Sequence, residues 1–172
     1  IKGLFNISVM VREESSGNSK YLKADLLDVI EIPEEGVAVM LFTTEEWEDR
    51  VLPIRIDVTA SFSIKKALGL VTFHRPLTHD LLVDLVNRLD VTIEKVTIDA
   101  MIDGVYLATI FVKDNRTNET FQLDARPSDA TAIAVRLGAP IYVAEHLVAY
   151  TEPLENYREL RARYGFSFNK NL

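Results

Sequence analysis

The 172-residue sequence predicts an α+β fold built from duplicated βββα units, in which antiparallel meanders are flanked by helices. Two sets of three segments alternate apolar and polar residues, and a segment with helical periodicity follows each set. A shift of 69 residues places 37–43 on 106–112 and Gly69 on Gly138, with the hydrophobic residues in phase. Because a slip of one residue would turn every strand inside out, this agreement of phase favours a repeated unit.

The first unit is predicted to span residues 22–69. Its strands are expected at 22–32, 37–43 and 50–56. Asp57 is a suitable cap for a helix whose apolar face includes Ala60 and Ile64 and which ends at Gly69.

A second predicted helix, residues 78–89, carries Leu81, Leu82, Leu85, Val86 and Leu89 on one side and leads into the second unit. The strands of that unit are expected at 92–102, 105–113 and 119–125, with a tight hairpin at Asp103-Gly104. Three further elements are predicted: a helix at 128–137, a short strand at 141–143 and a final helix at 154–164.

Three regions are expected along the chain. Residues 1–21 contain a predicted N-terminal strand at 4–12 and a polar, mobile loop at 13–20, residues 22–150 form the main domain, and residues 151–172 form a basic C-terminal helix and tail. The exposed edges of two meanders must be covered or charged, so we expect a homo-oligomer, most simply a two-fold dimer.

Composition narrows the possible functions. The absence of cysteine excludes disulfides, thiolate zinc sites and cysteine nucleophiles, and it fits a cytoplasmic protein. The apolar runs are too short to cross a membrane. A net charge of −7 argues against a constitutive nucleic-acid binder, and less strongly against an enzyme that touches a few phosphates through a metal.

Several catalytic motifs are excluded by the sequence. The seven glycines are never closer than 14 residues, so no glycine-rich phosphate loop or dinucleotide fingerprint is possible. The chain also has no G-x-S-x-G and no H-E-x-x-H motif.

Two similar polar clusters open the second and third predicted helices: Arg75-Pro76-Leu77-Thr78-His79-Asp80 and Asp124-Ala125-Arg126-Pro127-Ser128-Asp129. One interpretation is structural. Thr78 and Ser128 are good N-caps, and an acid in the first turn suits the positive end of the helix dipole.

The other interpretation is functional, because the clusters contain residues that capping does not need. Arg75 and Arg126, with Ser128, place donors at helix N-termini, where they could hold phosphate. If the two helix starts converge, Asp80, Asp124 and Asp129 could bind Mg²⁺ or Mn²⁺. Such a metal could activate water beside His79.

At these clusters the sequence resembles the bifunctional nuclease domain family. The similar stretches are 51–56, 75–82, 124–130 and 136–141, and the resemblance covers about residues 23–148. It implies a compact α+β domain that assembles into oligomers and cleaves DNA and RNA. One position departs from the family pattern, because Ala60 stands where the family usually has an acid at the start of the first helix.

The leading hypothesis is therefore a metal-assisted nuclease that hydrolyses DNA and RNA with little sequence specificity. His79, Asp80 and Asp129 are the predicted catalytic residues, with His79 as general acid or base. The alternative is a non-catalytic oligomeric module that binds a small anion or a protein partner through the same pocket. The net charge and Ala60 favour this alternative.

Overall fold

One eight-stranded mixed sheet, in the order β6-β5-β4-β7-β1-β2-β3-β8, forms the framework of the chain. The computed structural model describes residues 20–165. The strands are β1 Tyr21–Ile32, β2 Val37–Thr43, β3 Arg50–Asp57, β4 Val91–Ile102, β5 Val105–Asp114, β6 Thr120–Ala125, β7 Ile141–Ala144 and β8 Glu152–Pro153. The α-helices are α1 Val58–Ala67, α2 Thr78–Arg88, α3 Pro127–Leu137 and α4 Arg158–Tyr164. The predicted strand at 4–12 and residues 13–19 of the predicted loop lie outside the described residues.

The α+β class is confirmed, and two antiparallel meanders are present. Strands β1 to β3 form the first and are followed by α1, whereas β4 to β6 form the second and are followed by α3. Strand β7 lies between them, antiparallel to β1 and parallel to β4. The two meanders therefore belong to one sheet, and their origin by duplication stays a prediction.

The β4–β5 connection is the tight hairpin that the sequence predicts. Asp103 and Gly104 have φ angles of 51° and 81°, which is the backbone that a two-residue turn between twisted strands requires. Val105, directly after the turn, is 60% exposed. The hairpin tip thus projects beyond the core.

The main hydrophobic core lies between the sheet and helices α1 and α3. It draws on both meanders, with Phe42 and Leu52 from the first and Ile98 and Ile110 from the second. Ile133 of α3 is packed among them. This shared core fixes the two helices relative to each other, and their N-termini with them.

A second, smaller core covers the opposite face of the first meander. Its buried members include Ile30 and Leu41, and Leu160 and Tyr164 of α4 pack against it. Arg161 donates from Nε to the fully buried Asp28 at 3.0 Å. The basic helix predicted near the C-terminus therefore uses part of its charge to bind its own sheet.

Helix α2, unlike α1 and α3, has no buried side chain. Leu81 is 67% exposed, Leu85 and Leu89 are each 51% exposed, and Leu82 is 41% exposed. The apolar stripe that the sequence predicts is thus present, but it faces away from the described core.

No helix within residues 20–165 is long and apolar enough to cross a membrane.

Polar contacts of Asp80 attach the start of α2 to α1 and α3. The carboxylate accepts hydrogen bonds from Lys66 of α1, from Nε of Arg136 at 2.8 Å, and from the backbone N–H of Leu77 at 2.6 Å. Burial by itself would raise the pKa of Asp80, but these donors hold that pKa well below its ordinary value. Asp80 therefore stays ionised and acts as a structural anchor.

The N-cap predictions are wrong for α2 and α3. Thr78 lies one residue after the observed N-cap of α2, and Ser128 lies two residues after that of α3. Leu77 is the N-cap of α2, and Asp80 accepts from its backbone N–H. Arg126 is the N-cap of α3, and Pro127 occupies the first helical position, where its fixed φ and missing N–H are tolerated best. Ser128 is thereby moved into the first turn. By contrast, Asp57 caps α1 as predicted, accepting from the N–H of Ala60 at 2.8 Å.

Replacing Asp80 by Asn should lower the free energy of unfolding at pH 7 by about 3 kcal/mol, because it leaves Arg136 buried without its anion. The pKa of Asp80 is depressed in the folded protein. Its contribution to the free energy of unfolding is therefore present above the unfolded-state pKa of about 4 and is lost progressively as the pH falls below that value. Urea unfolding of both proteins from pH 7 to pH 3 measures this difference.

The exposed Asp84 on the same helix provides the control. Asp84→Asn should change the free energy of unfolding by less than about 0.5 kcal/mol. Equal stability of Asp80→Asn and Asp84→Asn at pH 7 would contradict the anchoring role.

Candidate active site

The N-terminal ends of α1, α2 and α3 meet around a cleft of about 580 Å³, here called the histidine cleft. Its polar lining includes His79 from α2, Asp124 from the end of β6, and Arg126 and Asp129 from the start of α3. Asp57, the cap of α1, completes this ring. Leu82, Ile110, Leu123 and Ile133 supply apolar walls. The structure thus brings together most of the polar residues that the two sequence clusters contain.

His79 is held through both ring nitrogens. Its Nδ1 lies 2.8 Å from Oγ of Ser63, and its Nε2 lies 3.0 Å from Oδ1 of Asp129. Ser63 accepts a hydrogen bond from Nη2 of Arg136 at 3.0 Å, so its own hydroxyl hydrogen is available for Nδ1. We infer the tautomer in which Nδ1 accepts from Ser63 and Nε2–H donates to Asp129.

Asp129 is the anionic partner in this arrangement. Arg126 grips its carboxylate with two parallel hydrogen bonds, from Nε to Oδ2 at 2.8 Å and from Nη2 to Oδ1 at 3.0 Å. Burial by itself would raise the pKa of Asp129, but the bonds from Arg126 and His79 hold that pKa below its ordinary value. An ionised carboxylate that orients an imidazole is a recurring component of acid–base sites.

Two more carboxylates line the histidine cleft. Oδ2 of Asp57 lies 3.4 Å from Nη1 of Arg126, so one guanidinium connects the caps of α1 and α3. Asp124 stands at the end of β6, and its side chain accepts no hydrogen bond from residues 20–165. Its carboxylate is available to a ligand.

Asp80 and Arg75 are not brought into the cleft. The carboxylate of Asp80 is directed to Lys66 and Arg136, and Arg75 is exposed, with its carbonyl oxygen accepting from Lys66 at 3.3 Å. Across residues 20–165, no three acidic or histidine side chains converge as a metal cage would require. The predicted set Asp80, Asp124 and Asp129 is therefore not assembled, because Asp80 serves as an anchor.

The remaining carboxylates nevertheless fit a hydrated magnesium-type ion. Mg²⁺ is usually held by one or two carboxylates, several waters and the substrate phosphate, so it does not need a cage made by protein alone. The side chain of Asp124 has no partner among the described residues, and Oδ2 of Asp129 accepts a single hydrogen bond, so both would offer oxygen ligands on one wall of the histidine cleft.

A second and larger cleft, of about 960 Å³, lies next to the first and is called the tyrosine cleft after Tyr106, Tyr150 and Tyr157 in its wall. Asp57 and Arg126 line both clefts. Ser128 lines the tyrosine cleft, whereas its neighbour Asp129 lines the histidine cleft. The start of α3 therefore separates the two spaces.

Ser63 and Arg136 are parts of the site that sequence reasoning did not select. Ser63 lies in the middle of α1, where a serine gives no signal of function. Arg136 lies in the last turn of α3, where a basic residue is ordinarily explained by the helix dipole. Only the folded arrangement shows that both support His79.

Comparison with known proteins identifies a family whose domain includes these residues. The Bifunctional nuclease domain matches residues 39–154, a span that contains the polar lining of the histidine cleft. An uncharacterized protein of Mycobacterium tuberculosis is 36% identical over 120 residues, which cover 70% of this chain and 69% of the relative.

Plant relatives match over a smaller share of their own length. Bifunctional nuclease 1 of Oryza sativa subsp. japonica is 30% identical over 112 residues, covering 64% of this chain and 34% of the relative. Bifunctional nuclease 2 of the same plant is 28% identical over 143 residues, which cover 82% of this chain and 44% of the relative. With two-thirds of its length matched by the family domain, the chain belongs to the bifunctional nuclease domain family.

Proposed function

We propose that the protein is a metal-assisted nuclease that hydrolyses phosphodiester bonds of DNA and RNA with little sequence specificity. The observation that carries this proposal is the contact between His79 and the ionised Asp129 in a cleft shared with Arg126. The names of the plant relatives, which call them bifunctional nucleases, support the same reaction class.

In the proposed mechanism His79 moves the proton. In the protonated form of His79, Nε2–H faces the histidine cleft and Nδ1–H faces Ser63, so Nε2 would give its proton to a leaving oxygen placed in the cleft and would regain one from solvent. Asp129 would stabilise the imidazolium before the transfer, and Ser63 would keep the ring in one orientation through Nδ1. Arg136 would fix Ser63 in turn.

Phosphate would be bound by Arg126. Its side chain is 66% exposed even though it contacts Asp129 and Asp57, so part of the guanidinium remains accessible to substrate. Arg75 has no part in this proposal because its side chain is not among those that line either cleft.

Asp124 and Asp129 would hold the divalent ion. A bound Mg²⁺ or Mn²⁺ would supply charge neutralisation at the phosphate and a more acidic water. Asp80, by contrast, would contribute only through the position of α2.

The proposed duplication accounts for the presence of the histidine-binding carboxylate, Asp129, in the second unit only. In the 69-residue alignment Asp57 corresponds to Arg126, and these two caps face each other across the cleft. Ala60 corresponds to Asp129, so the first unit lacks the carboxylate that the second unit provides. One of two equivalent positions would then perform the chemistry.

Replacing His79 by Ala or Asp129 by Asn should reduce cleavage of labelled single- and double-stranded oligonucleotides by a factor of about 10² to 10⁴, because each removes part of the proton-transfer pair. The rates are measured with Mg²⁺ and with Mn²⁺. His146→Ala is the matched control, since His146 is exposed and is not part of the lining of either cleft, and it should cleave at the rate of the unmodified protein.

Two results would contradict the nuclease proposal. The first is a folded, unmodified protein that cleaves none of these substrates with either metal, which would favour the non-catalytic module that binds an anion or a protein partner. The second is a stable Asp129→Asn variant with undiminished activity.

We also propose that the exposed leucines of α2 form a contact between two copies of this chain. Leu81, Leu85 and Leu89 are spaced four residues apart, so the spacing of the leucines is symmetric about Leu85. Two antiparallel α2 helices related by a two-fold axis at Leu85 would place Leu81 of one copy against Leu89 of the other. An apolar stripe of this kind offers nothing to phosphate and suits a protein surface.

The charges beside the stripe agree with a self-complementary contact. Asp84 and Arg88 flank the leucines, and in the antiparallel arrangement Asp84 of one copy would lie within about one turn of Arg88 of the other. The nearby β6 ends the sheet formed by the described residues and exposes Phe121 and Leu123. Because Leu82 and Leu123 also line the histidine cleft, the second copy would border the proposed active site.

Leu85→Glu should convert the proposed dimer into a monomer, because the substitution places two carboxylates at the two-fold axis. Sedimentation velocity at micromolar concentration measures the change. Val148→Glu is the control, since Val148 is 45% exposed but lies outside α2 and should leave the dimer intact. A monomeric unmodified protein, or a dimeric Leu85→Glu variant, would rule out this contact.

A further inference from the structure

The tyrosine cleft contains a buried polar group that the proposed chemistry does not use. Ser128 is 4% exposed and lines this cleft, and its hydroxyl has no hydrogen-bond partner within residues 20–165. The hydroxyl oxygen is not among the fully enclosed unpartnered atoms, which belong to Thr44 and Thr97, so it reaches the cleft and is available to a ligand.

The surroundings of Ser128 suit an anion. Ser128 and Asp129 lie in the first turn of α3, where no carbonyl one turn earlier is available to their N–H groups, and no side chain caps this end. The N-terminal end of a helix attracts negative charge, and the guanidinium of Arg126 stands at the same place. These donors together fit a phosphate group.

The wall beside this phosphate site is aromatic. The rings of Tyr106 and Tyr150 lie edge to face, with centroids 6.3 Å apart and an angle of 82°. Tyr150 is 39% exposed, so part of its ring is accessible to a ligand in the cleft. Exposed aromatic faces beside a phosphate site are typical of surfaces that stack unpaired bases.

The acids in the cleft are compatible with a base at this wall. Glu35 forms an ion pair with Arg55, and Glu152 accepts a hydrogen bond from the hydroxyl of Tyr157 at 3.0 Å. A carboxylate accepts hydrogen bonds from the amino groups of bases and repels phosphate. Asp57, the third acid of the cleft, lies beside Arg126 and is paired with its guanidinium at 3.4 Å. The acids are therefore compatible with a base over the tyrosines and its phosphate toward Ser128.

From these contacts we propose that the tyrosine cleft binds an unpaired nucleotide of a DNA or RNA strand. The base stacks on Tyr106 or Tyr150, and the phosphate binds Ser128, the start of α3 and Arg126. The proposal rests on the nuclease function and deepens it, because Arg126 and Asp57 line both clefts and the strand passes from one to the other. A base inside a duplex is already stacked and cannot enter.

The test is fluorescence anisotropy with a labelled single-stranded DNA, the matching RNA and the DNA duplex, in a buffer with Ca²⁺ and with a gel check that each strand stays intact. The full chain should bind both single strands more tightly than the duplex. Tyr150→Ala and Tyr106→Ala should each weaken single-strand binding by at least about fivefold, as expected for the loss of one stacked base. Tyr150→Phe keeps the ring and should retain the affinity, and Ser128→Ala should weaken binding of the single-stranded DNA and RNA alike.

Phe73→Ala is the matched control, because Phe73 is an exposed aromatic residue that is not part of the lining of either cleft, and it should bind as the unmodified protein does. No binding of single strands, equal binding of the duplex, or unchanged affinity in both tyrosine-to-alanine variants would overturn the proposal. Hydrolysis of bis(p-nitrophenyl) phosphate by the unmodified protein with Mn²⁺ tests the chemistry separately. Tyrosine-dependent binding without this hydrolysis would contradict the nuclease function and leave the nucleotide site standing.

Discussion

The buried guanidinium of Arg136 is the group on which the arrangement of the site depends. Its side chain is 6% exposed, and it donates to Asp80 of α2, to Ser63 of α1 and to the carbonyl of Ala132 in its own helix. A cation in this position is stable only with an anion and enough acceptors around it. Asp80 supplies the anion, and the start of α2 is thereby held against the middle of α1 and the last turn of α3.

The neighbours His79 and Asp80 consequently have different tasks. The carboxylate of Asp80 is turned toward Lys66 and Arg136, where it anchors α2, while the imidazole of His79 is turned toward Asp129 in the cleft. Since α2 buries no side chain against the described core, this anchor carries much of the attachment of the helix. The same charge network therefore determines both the stability of α2 and the position of the proposed proton carrier.

The strands, the hairpin at Asp103-Gly104 and the apolar faces of α1 and α3 could be predicted from the sequence, because alternation and helical periodicity report burial directly. The similar starts of α2 and α3 suggested that the two polar clusters could converge, and His79 of the first cluster does lie with Asp129 of the second. The direction of each side chain could not be predicted in the same way. Whether Asp80 enters the cleft depends on Lys66 and Arg136, which are distant in sequence and carry no local signal.

Helix α2 shows a second limit of the pattern. Periodicity identified its leucine face correctly, but it does not state whether the partner of that face lies in the same chain. The N-caps show a third limit of the pattern. Thr78 and Ser128 are good capping residues by type, but neither is the N-cap of its helix. The proline at 127 instead fixed where α3 begins and moved Ser128 into the wall of the tyrosine cleft.

The acidic net charge of −7 is consistent with a nuclease of this design. A protein that binds DNA through many lysines and arginines gains affinity from each phosphate and loses it steeply with salt. Here the proposed phosphate contacts are few: Arg126, the first turn of α3 and the metal held by Asp124 and Asp129. Such a site would hold a strand weakly and locally, and stacking on tyrosines would be insensitive to base identity. The proposed low sequence specificity would then result from the small number of contacts, because none of the proposed contacts reads a complete base pair.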